Sequence, residues 1–534
     1  SVSCPRDCMN LYRAFATVGG LTMVSRVTGF VRDIFIAAAL GTGLVADAFF
    51  VAIRFPNLFR RLFGEGAFNA AFVPLFAKKL EGEGSDAARQ FADDALSCLT
   101  FVVVAFSVVA IIAMPWLMLL LAPGFVTDPE KYDLTVLLTQ IAFPYLLCMS
   151  LVALLSGVLN SMGRFLAAAA APVLLNIVLI AAILLAIWLG YAQQPAAGVI
   201  LAIGVTIAGI AQLAMLWIAV RRTGLRLRLG WPRYTEGIKR LVSLGIPGVI
   251  SGGITQINIV VGTIIASLQA GAVSYLYYAD RLYQLPLSII GVAIGVVLLP
   301  DLSRKLRAGD GEAAHDSQNR SLEFALLFTV PAAVALVIAA QPIISVLFER
   351  GAFTASDTAA TAAALAAFAI GLPSFVMIKV FQPAFFARED TRTPMWFAAI
   401  NLVVNAVGSL VLFFLFERIG WMPHVGIAIA TTVAGWINAL LLLLTLLRAG
   451  DYRADRRLLR NAWLILLASV IMGAMLLVLL YWTEPYFAAD RSIITRAVAL
   501  AGLVGAGVGI YGILIMAMGV LKASQLRRLI SRTA

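Results

Sequence analysis

Apolar residues occur along the chain in long blocks separated by short polar segments rich in Gly, Pro and charged residues. A helix needs about 20 apolar residues to cross the hydrocarbon layer of a bilayer, and many of the blocks reach that length. The predicted fold is therefore all-α, a polytopic membrane protein. We predict fourteen spans, over 11–40, 45–64, 90–121, 132–160, 165–190, 196–221, 238–268, 273–300, 320–348, 358–387, 394–416, 424–448, 457–482 and 493–521.

The segment between spans two and three predicts a short helix lying on the membrane surface. It reads FNAAFVPLFAKKLEGEG and places aromatic and apolar residues ahead of Lys78 and Lys79. An apolar stretch followed by basic residues is typical of an interfacial helix.

Composition excludes a water-soluble globular protein. Of 534 residues, 61% are hydrophobic and only 13% are charged, so a soluble fold would expose large apolar areas. The net charge of +12 could attract nucleic acid, but the basic residues are scattered among short loops. Orientation in the membrane explains them better, and no nucleic-acid partner is expected.

The basic loops predict the orientation of the chain. With the N-terminus in the cytoplasm, about thirty of the 40 Lys and Arg residues lie inside and about five outside, in agreement with the positive-inside rule. Both termini are therefore predicted to be cytoplasmic. The loop between spans six and seven alone contributes Arg221, Arg222, Arg226, Arg228, Arg233, Lys239 and Arg240.

An internal repeat divides the chain. LGTGLVADAFFVAIRFPNL aligns with LQAGAVSYLYYADRLYQLP at an offset of about 228, and VPLFAKKL aligns with LPDLSRKL at about 226. Six spans per copy is an even number, so both copies enter the membrane in the same direction, with a pseudo-twofold axis along its normal and a cleft between them. We predict a polar leader over 1–8, an N-terminal lobe over 9–228, a C-terminal lobe over 229–450, and a final pair of spans with a basic tail over 451–534.

Metal binding and catalysis find little support in the sequence. The residue types that bind zinc are few: Cys4, Cys8, Cys98, Cys148, His315 and His424. The chain has no paired carboxylate motif on a wet loop, no nucleophile with a base partner and no Gly-rich phosphate loop. We expect neither an enzyme nor a cofactor. The first apolar run is too long for a cleavable signal peptide, so we expect it to be retained.

Charged residues inside span one give the first indication of function. The stretch SRVTGFVRD, from Ser25 to Asp33, places Arg26 about 22 Å along the helix. An arginine at that depth costs about 2.5 to 10 kcal/mol or more unless it faces a wet cavity or a partner. Arg32 follows and can pair with Asp33, while Gly29 allows a neighbouring helix to approach.

Spans two and eight carry further charges. The repeat sets spans one and two opposite spans seven and eight, which predicts a cavity lined by arginines. The charged residues of the two spans are Asp47, Arg54, Arg60, Arg61 and Glu65 in span two and Asp280 and Arg281 in span eight.

Two interpretations of these charges remain open. Arg32 with Asp33, and Arg281 with Asp280, are candidates for ion pairs that only hold helices together. Arg26, however, has no carboxylate near it in sequence, and arginines outnumber acids across these spans. Guanidinium groups bind phosphate through two parallel hydrogen bonds, and a diphosphate would engage several of them. The predicted ligand is anionic and carries phosphate.

Other polar residues inside the spans have simpler explanations. Lys379, within FVMIKVFQP, is a further intramembrane cation, although a lysine can extend its amine to the interface. We expect Asn176, Asn401 and Asn405 to form hydrogen bonds between helices. Span seven contains no carboxylate, so the sequence indicates no sodium or proton site.

The stretches SRVTGFVRD, ADAFFVAIRFPNLFRRLFGEGAFNAAFVPLF and YYADRLYQLP resemble the MurJ/MviN family, the lipid II flippases of bacterial peptidoglycan synthesis. The resemblance extends over nearly the whole chain from Met9. It implies the MATE-like multidrug/oligosaccharidyl-lipid/polysaccharide exporter fold, a central cationic cavity, and a groove of the last two helices for the undecaprenyl tail. The residues it implicates in substrate binding are Arg26, Arg32, Asp47, Arg60, Glu65 and Arg281. A second group of candidates comprises Ser25, Asp33, Arg54, Arg61, Asp280 and Lys379.

The implied function is movement of lipid II from the cytoplasmic to the outer leaflet of the bacterial inner membrane by alternating access. The expected partners are lipid II, membrane lipids and the cell-wall synthesis machinery, and the expected state is a monomer. The alternatives are a flippase for another polyprenyl-diphosphate-linked glycan, a MATE-like exporter, and a membrane glycosyltransferase that uses a polyprenyl diphosphate.

Overall fold

A computed structural model describes residues 5–59, 68–488 and 491–521. Over these residues the chain is helical and contains no strand, which confirms the predicted fold class. The helices are α1 (Pro5–Leu40), α2 (Leu44–Phe59), α3 (Phe68–Gly82), α4 (Ser85–Ile112), α5 (Met114–Leu121), α6 (Pro129–Ala142), α7 (Tyr145–Ser161), α8 (Leu166–Trp188), α9 (Pro195–Arg221), α10 (Glu236–Ala266), α11 (Ala272–Arg307), α12 (Gly311–Ile338), α13 (Ala340–Phe348), α14 (Ala355–Phe386), α15 (Arg392–Arg418), α16 (Pro423–Ala449), α17 (Arg456–Thr483) and α18 (Ile493–Ala517).

Within the described residues, each of the fourteen predicted spans overlaps one helix or two helices in series; residues 60–64 of span two lie outside them. Spans three, four and nine are the broken ones, between α4 and α5, α6 and α7, and α12 and α13. A proline lies near each restart, at Pro115, Pro144 and Pro342. Proline lacks an N–H and is favoured in a first helical turn, where that N–H would have no partner within the helix. The breaks at Ala113 and Ala339 match the repeat offset of about 226, so both copies bend at the same place.

Ten helical segments of the described chain are long and apolar enough to cross a membrane. Predicted spans one, two, seven and eight correspond to α1, α2, α10 and α11, which are not among the ten. Three of them, α1, α2 and α11, carry all the described charged candidates except Lys379, which lies on α14. The count of fourteen spans stays a prediction, as does the interfacial position of the short helix α3, which forms where the sequence predicts it.

The chain forms two compact units. The first comprises Ser1–Ser274 with Arg350–Phe353, and the second comprises Tyr275–Glu349 with Thr354–Ala534. Helix α10 belongs to the first unit because it packs on α3 and α4. The predicted lobe limits at 228 and 450 stay predictions.

Inside the first unit, α8 packs between α1 and α9, α7 packs on α9, and α2 packs on α6. Phe49, Phe50, Phe72 and Phe143 are fully buried in its core. Inside the second unit, α14 packs between α12 and α16, α15 packs on α16, and α17 joins α12 to α18. This packing holds α1 against α8 and α2 against α6, and α1 and α2 carry most of the candidate residues of the first unit.

Candidate functional site

Arg32 and Asp33 form a buried ion pair on α1. Arg32 Nε and Nη2 donate to Asp33 Oδ1 at 3.0 and 2.7 Å, and Arg32 Nη1 donates to Asn176 Oδ1 of α8 at 2.9 Å. Only 8% of Arg32 and 1% of Asp33 remain exposed. All three guanidinium nitrogens therefore have protein partners, and the pair ties α1 to α8.

Asn176 completes this junction. Its amide nitrogen donates to the Ser25 carbonyl at 2.9 Å, and a Cβ on Gly29 would lie 3.2 Å from the same nitrogen. The absence of a side chain at Gly29 is what lets α8 come this close. The prediction that Asn176 forms a hydrogen bond between helices is confirmed.

The other two intramembrane asparagines behave in the same way. Asn401 of α15 donates to the Ala434 carbonyl of α16 at 2.9 Å, and Asn405 accepts from Thr431 Oγ1 at 3.1 Å. Both contacts join α15 to α16 within the second unit, which again confirms the prediction.

Arg26 differs from Arg32 in its surroundings. It lies on an exposed face of α1 together with Met23 and Val27. The Arg26 side chain is therefore exposed, whereas the Arg32 guanidinium is enclosed.

Asp47 accepts hydrogen bonds on both of its carboxylate oxygens. It is fully buried in the first turn of α2, and Lys131 Nζ of α6 lies 2.6 Å from its Oδ2. Oδ2 also accepts from the Gly271 amide at 2.8 Å, while Oδ1 accepts from the Ser274 amide at 3.0 Å and from Ser274 Oγ at 2.6 Å. One carboxylate therefore joins α2, α6 and the start of α11; we call these residues the Asp47 hub.

Lys131 is held from a second side by an aromatic ring. Its Nζ lies 4.1 Å from the centre of the Phe125 ring, a cation–π contact. Phe125 belongs to the 3-10 turn Pro123–Thr127 and is buried. The hub therefore also fixes the turn between α5 and α6.

Two close backbone approaches occur within the first unit. Gly351 has φ +60, and a Cβ there would overlap the Ala38 carbonyl oxygen of α1, to which the Ala352 amide donates at 2.9 Å. In the related place of the repeat, a Cβ on Gly124 would overlap the Ser267 carbonyl. At both positions a side chain would overlap the facing backbone, so each contact requires glycine.

Arg54 and Arg281 each have a neutral hydrogen-bond partner. Arg54 Nη1 of α2 donates to Thr263 Oγ1 of α10. Arg281 Nη2 of α11 donates to the Tyr277 hydroxyl at 2.9 Å, and its guanidinium lies 5.0 Å from the centre of that ring. These contacts orient the two guanidinium groups, and the partners that make them carry no charge.

The remaining candidates of the second unit lie on α11 and α14. Asp280 accepts from Gln284 one turn along α11. Lys379 of α14 is exposed, and a Cβ on Gly291 of α11 would lie 3.7 Å from its Cγ. Arg60, Arg61 and Glu65 lie outside the described residues.

A groove of about 580 Å³ lies between α17 and α18. Its walls are mainly apolar and include Leu479, Ile494, Val498 and Leu503. At one end of the helix pair, Arg496 of α18 is buried; it donates to Ser345 and forms an ion pair with Glu349 at 3.3 Å. The pair is thereby fixed to α13.

The structure brings the sequence candidates into local clusters and adds residues to them. Ser25 and Arg32 meet at Asn176, Asp33 pairs with Arg32, and Asp47 meets Lys131 and Ser274. Sequence reasoning missed Lys131 and Ser274. A lysine at the start of span four, on the side predicted to be poor in basic residues, was the available signal for Lys131. Among the described residues, no group of three or more His, Cys, Asp and Glu is placed to hold a metal ion.

Comparison with known proteins relates the chain to one family. The family model described as "Lipid II flippase MurJ" matches residues 36–500. A protein of Rhizobium meliloti (strain 1021), named "Probable lipid II flippase MurJ", is 48% identical over 98% of this chain and 97% of its own length.

Solved structures agree with this relationship. One described as "Lipid II flippase MurJ, inward closed conformation" has a TM-score of 0.75 and 25% identity, over 94% of this chain and 98% of its own. An inward-facing MATE family multidrug resistance transporter of the MOP superfamily has a TM-score of 0.64 and 13% identity, over 82% of this chain and 98% of its own. The second likeness shows the shared fold alone.

Proposed function

The chain belongs to the lipid II flippase MurJ family and is a lipid II flippase, and we propose that it moves lipid II from the cytoplasmic to the outer leaflet of the bacterial inner membrane by alternating access. The observation within the chain that carries this proposal is Arg26, an accessible cation inside a membrane-length helix. Such a charge is costly in lipid and is retained where it serves an anionic ligand or its pathway.

Recognition of the diphosphate is assigned to arginines. Arg26 is accessible, and Arg281 is oriented by a neutral tyrosine hydroxyl and the ring that bears it. A guanidinium binds two phosphate oxygens through parallel N–H donors, which lysine does not reproduce. Arginines placed in this way suit an anion that bears several phosphate oxygens.

Arg32 is assigned a positioning role. Its three guanidinium nitrogens are already engaged by Asp33 and Asn176. This arrangement supports the ion-pair interpretation that the sequence left open, with Arg32 holding α1 against α8. Arg26 lies six residues earlier on the same helix, so its placement depends on this junction.

The Asp47 hub is assigned the role of a closure that opens once per transport cycle. Four donors converge on one buried carboxylate. Removing one partner of a buried ion pair costs about 3 to 5 kcal/mol. We propose that binding of the anionic headgroup offsets the free-energy cost of opening the Asp47 hub.

The groove between α17 and α18 suits the polyprenyl tail. Its walls are mainly apolar, and Arg496 fixes the helix pair to α13. An apolar tail in this groove stays out of water while the headgroup crosses.

We place both termini in the cytoplasm, from the basic loops. An inside-negative potential then favours outward movement of a negative headgroup by about 2.3 kcal/mol per charge per 100 mV. The proposed working form is a monomer that encounters the cell-wall synthesis machinery.

The experiment that tests this function is complementation of a flippase-depleted bacterium, with the lipid II headgroup on the outer face measured by an externally added enzyme that cleaves it. We expect the chain to restore both growth and headgroup exposure. Growth without exposure, or neither at normal expression, would refute lipid II as the substrate. Cationic drugs favour acidic sites, so the arginines argue against a drug exporter.

A further inference from the structure

A second cavity, of about 780 Å³, opens between the beginning of α8 and the end of α9 in the first unit. Its walls are alanines and aliphatic side chains, and two arginines lie at one end. The residues that carry the argument are Arg164, Ala167, Ala170, Ala211, Ala214 and Arg222. We call this cavity the α8–α9 crevice.

The crevice exists because both helices present small side chains to each other. Ala167 and Ala170 of α8 face Ala211 and Ala214 of α9, and alanines leave space that larger residues would fill. Next to these alanines the helices are pinned, because Gln212 Nε2 donates to the Ala171 carbonyl at 2.6 Å. From position 211 to position 222 the crevice follows α9 for about 16 Å, roughly half of the hydrocarbon thickness.

The two arginines are held by ordered backbone. The Arg164 amide donates to the Leu159 carbonyl at 2.9 Å, and the Arg222 amide donates to the Ile218 carbonyl at 3.0 Å. Beyond Arg222 the chain stays fixed, because the Arg228 amide donates to Asp93 Oδ1 at 2.7 Å. Both arginine side chains are exposed. They therefore place two positive charges at one end of an apolar crevice.

We propose that the α8–α9 crevice binds an anionic phospholipid of the cytoplasmic leaflet. One acyl chain occupies the alanine-lined crevice, and the phosphate contacts Arg164 and Arg222. Basic pockets between helices on the cytoplasmic side are suited to anionic headgroups, and a net negative headgroup is what two guanidinium groups favour over a zwitterionic one. The leaflet assignment rests on the orientation proposed above; the site itself shares no residue with the Asp47 hub or with the α17–α18 groove.

The test is photocrosslinking in vesicles with the purified full chain. Phosphatidylcholine vesicles receive a trace of phosphatidylglycerol or phosphatidylcholine with a photoreactive acyl chain, and the labelled peptides are mapped by mass spectrometry. We expect the phosphatidylglycerol probe to label residues 164–170 and 211–222 in excess of the phosphatidylcholine probe. Arg164→Gln with Arg222→Gln is expected to lower that labelling about tenfold, the loss of one to two charged hydrogen bonds.

Two control variants distinguish binding in the α8–α9 crevice from a general effect of positive charge on the protein surface. Arg392→Gln with Arg448→Gln removes two exposed arginines that flank α15 and α16 as Arg164 and Arg222 flank α8 and α9; labelling of the crevice should not change. Ala214→Phe fills the crevice and should lower labelling with the arginines intact.

Three results would overturn the proposal. They are equal labelling by the two probes, unchanged labelling in the double arginine variant, and displacement of the label by farnesyl diphosphate more readily than by unlabelled phosphatidylglycerol. The third would assign the crevice to a polyprenyl diphosphate. Lipid II translocation measured in the same vesicles reports separately on the proposed flippase function.

Discussion

Lys131 Nζ lies 2.6 Å from Asp47 Oδ2 in a fully buried pair that joins α6 to α2. Three further donors, from Gly271 and Ser274, reach the same carboxylate. An ion pair satisfied in this way is stable as long as both partners are present, and losing either leaves a buried charge. The pair is thus suited to a closure that opens as a unit.

Asp47→Ala is expected to abolish transport and to destabilise the protein by about 3 to 5 kcal/mol, because it leaves the Lys131 cation buried without its carboxylate. Lys131→Met should cost less, since three neutral donors still hold the Asp47 carboxylate. Thermal unfolding of the purified variants and lipid II exposure in cells measure the two effects. Equal stability of Asp47→Ala and the unchanged chain would contradict the hub.

Gly351→Ala tests the close backbone contact with α1. Its Cβ would overlap the Ala38 carbonyl, and φ is +60, so we expect a loss of stability clearly above the cost of about 1 to 3 kcal/mol for an unfavourable φ alone. Gly420→Ala is the matched control, because Gly420 has φ +71 and a Cβ added there would meet nothing within 4 Å. If both variants unfold at the same temperature, the close approach at Gly351 does not contribute to stability.

The proposed orientation can be tested by thiol labelling. In a variant lacking Cys4, Cys8, Cys98 and Cys148, single cysteines at positions 226 and 456 should resist a membrane-impermeant reagent applied to intact cells. A cysteine at Thr127, which is exposed, should react. The reverse pattern would invert the chain in the membrane.

Arg32 and Arg26 are expected to fail in different ways. Arg32→Gln breaks the contacts to Asp33 and Asn176 and should lower the amount of folded protein together with transport. Arg26→Gln should lower transport alone, since the Arg26 side chain is exposed. Fluorescence-detected chromatography of tagged variants reports the folded amount. A normal amount of folded Arg32→Gln protein would contradict the proposal that Arg32 holds α1 against α8.

The positions of the helices were largely predictable, because a long apolar run can be recognised in the sequence without knowledge of any tertiary contact. Within the described residues, all fourteen apolar runs overlap helices. The breaks at Pro115, Pro144 and Pro342 were not predicted, because apolar composition continues across each of them while the backbone hydrogen-bond pattern does not.

The candidate site was less predictable. Residues adjacent in sequence, such as Arg32 and Asp33, suggested their own pairing. The partnership of Asp47 with Lys131, by contrast, joins residues far apart in the chain and depends on how α2 packs against α6. Asn176 was recognised as a contact between helices, but its role as acceptor for Arg32 required the position of α8.

We propose that the chain transports lipid II and recognises its diphosphate through Arg26. The most direct test compares the unchanged chain with Arg26→Lys in flippase-depleted cells. The quantity measured is the rate at which lipid II headgroups become accessible on the outer face at matched expression. Lysine keeps the charge and loses the planar fork. We predict that the unchanged chain restores headgroup exposure and that Arg26→Lys, folded and inserted in equal amount, does not. Full exposure with Arg26→Lys would contradict bidentate recognition, and no exposure with the unchanged chain would contradict lipid II transport itself.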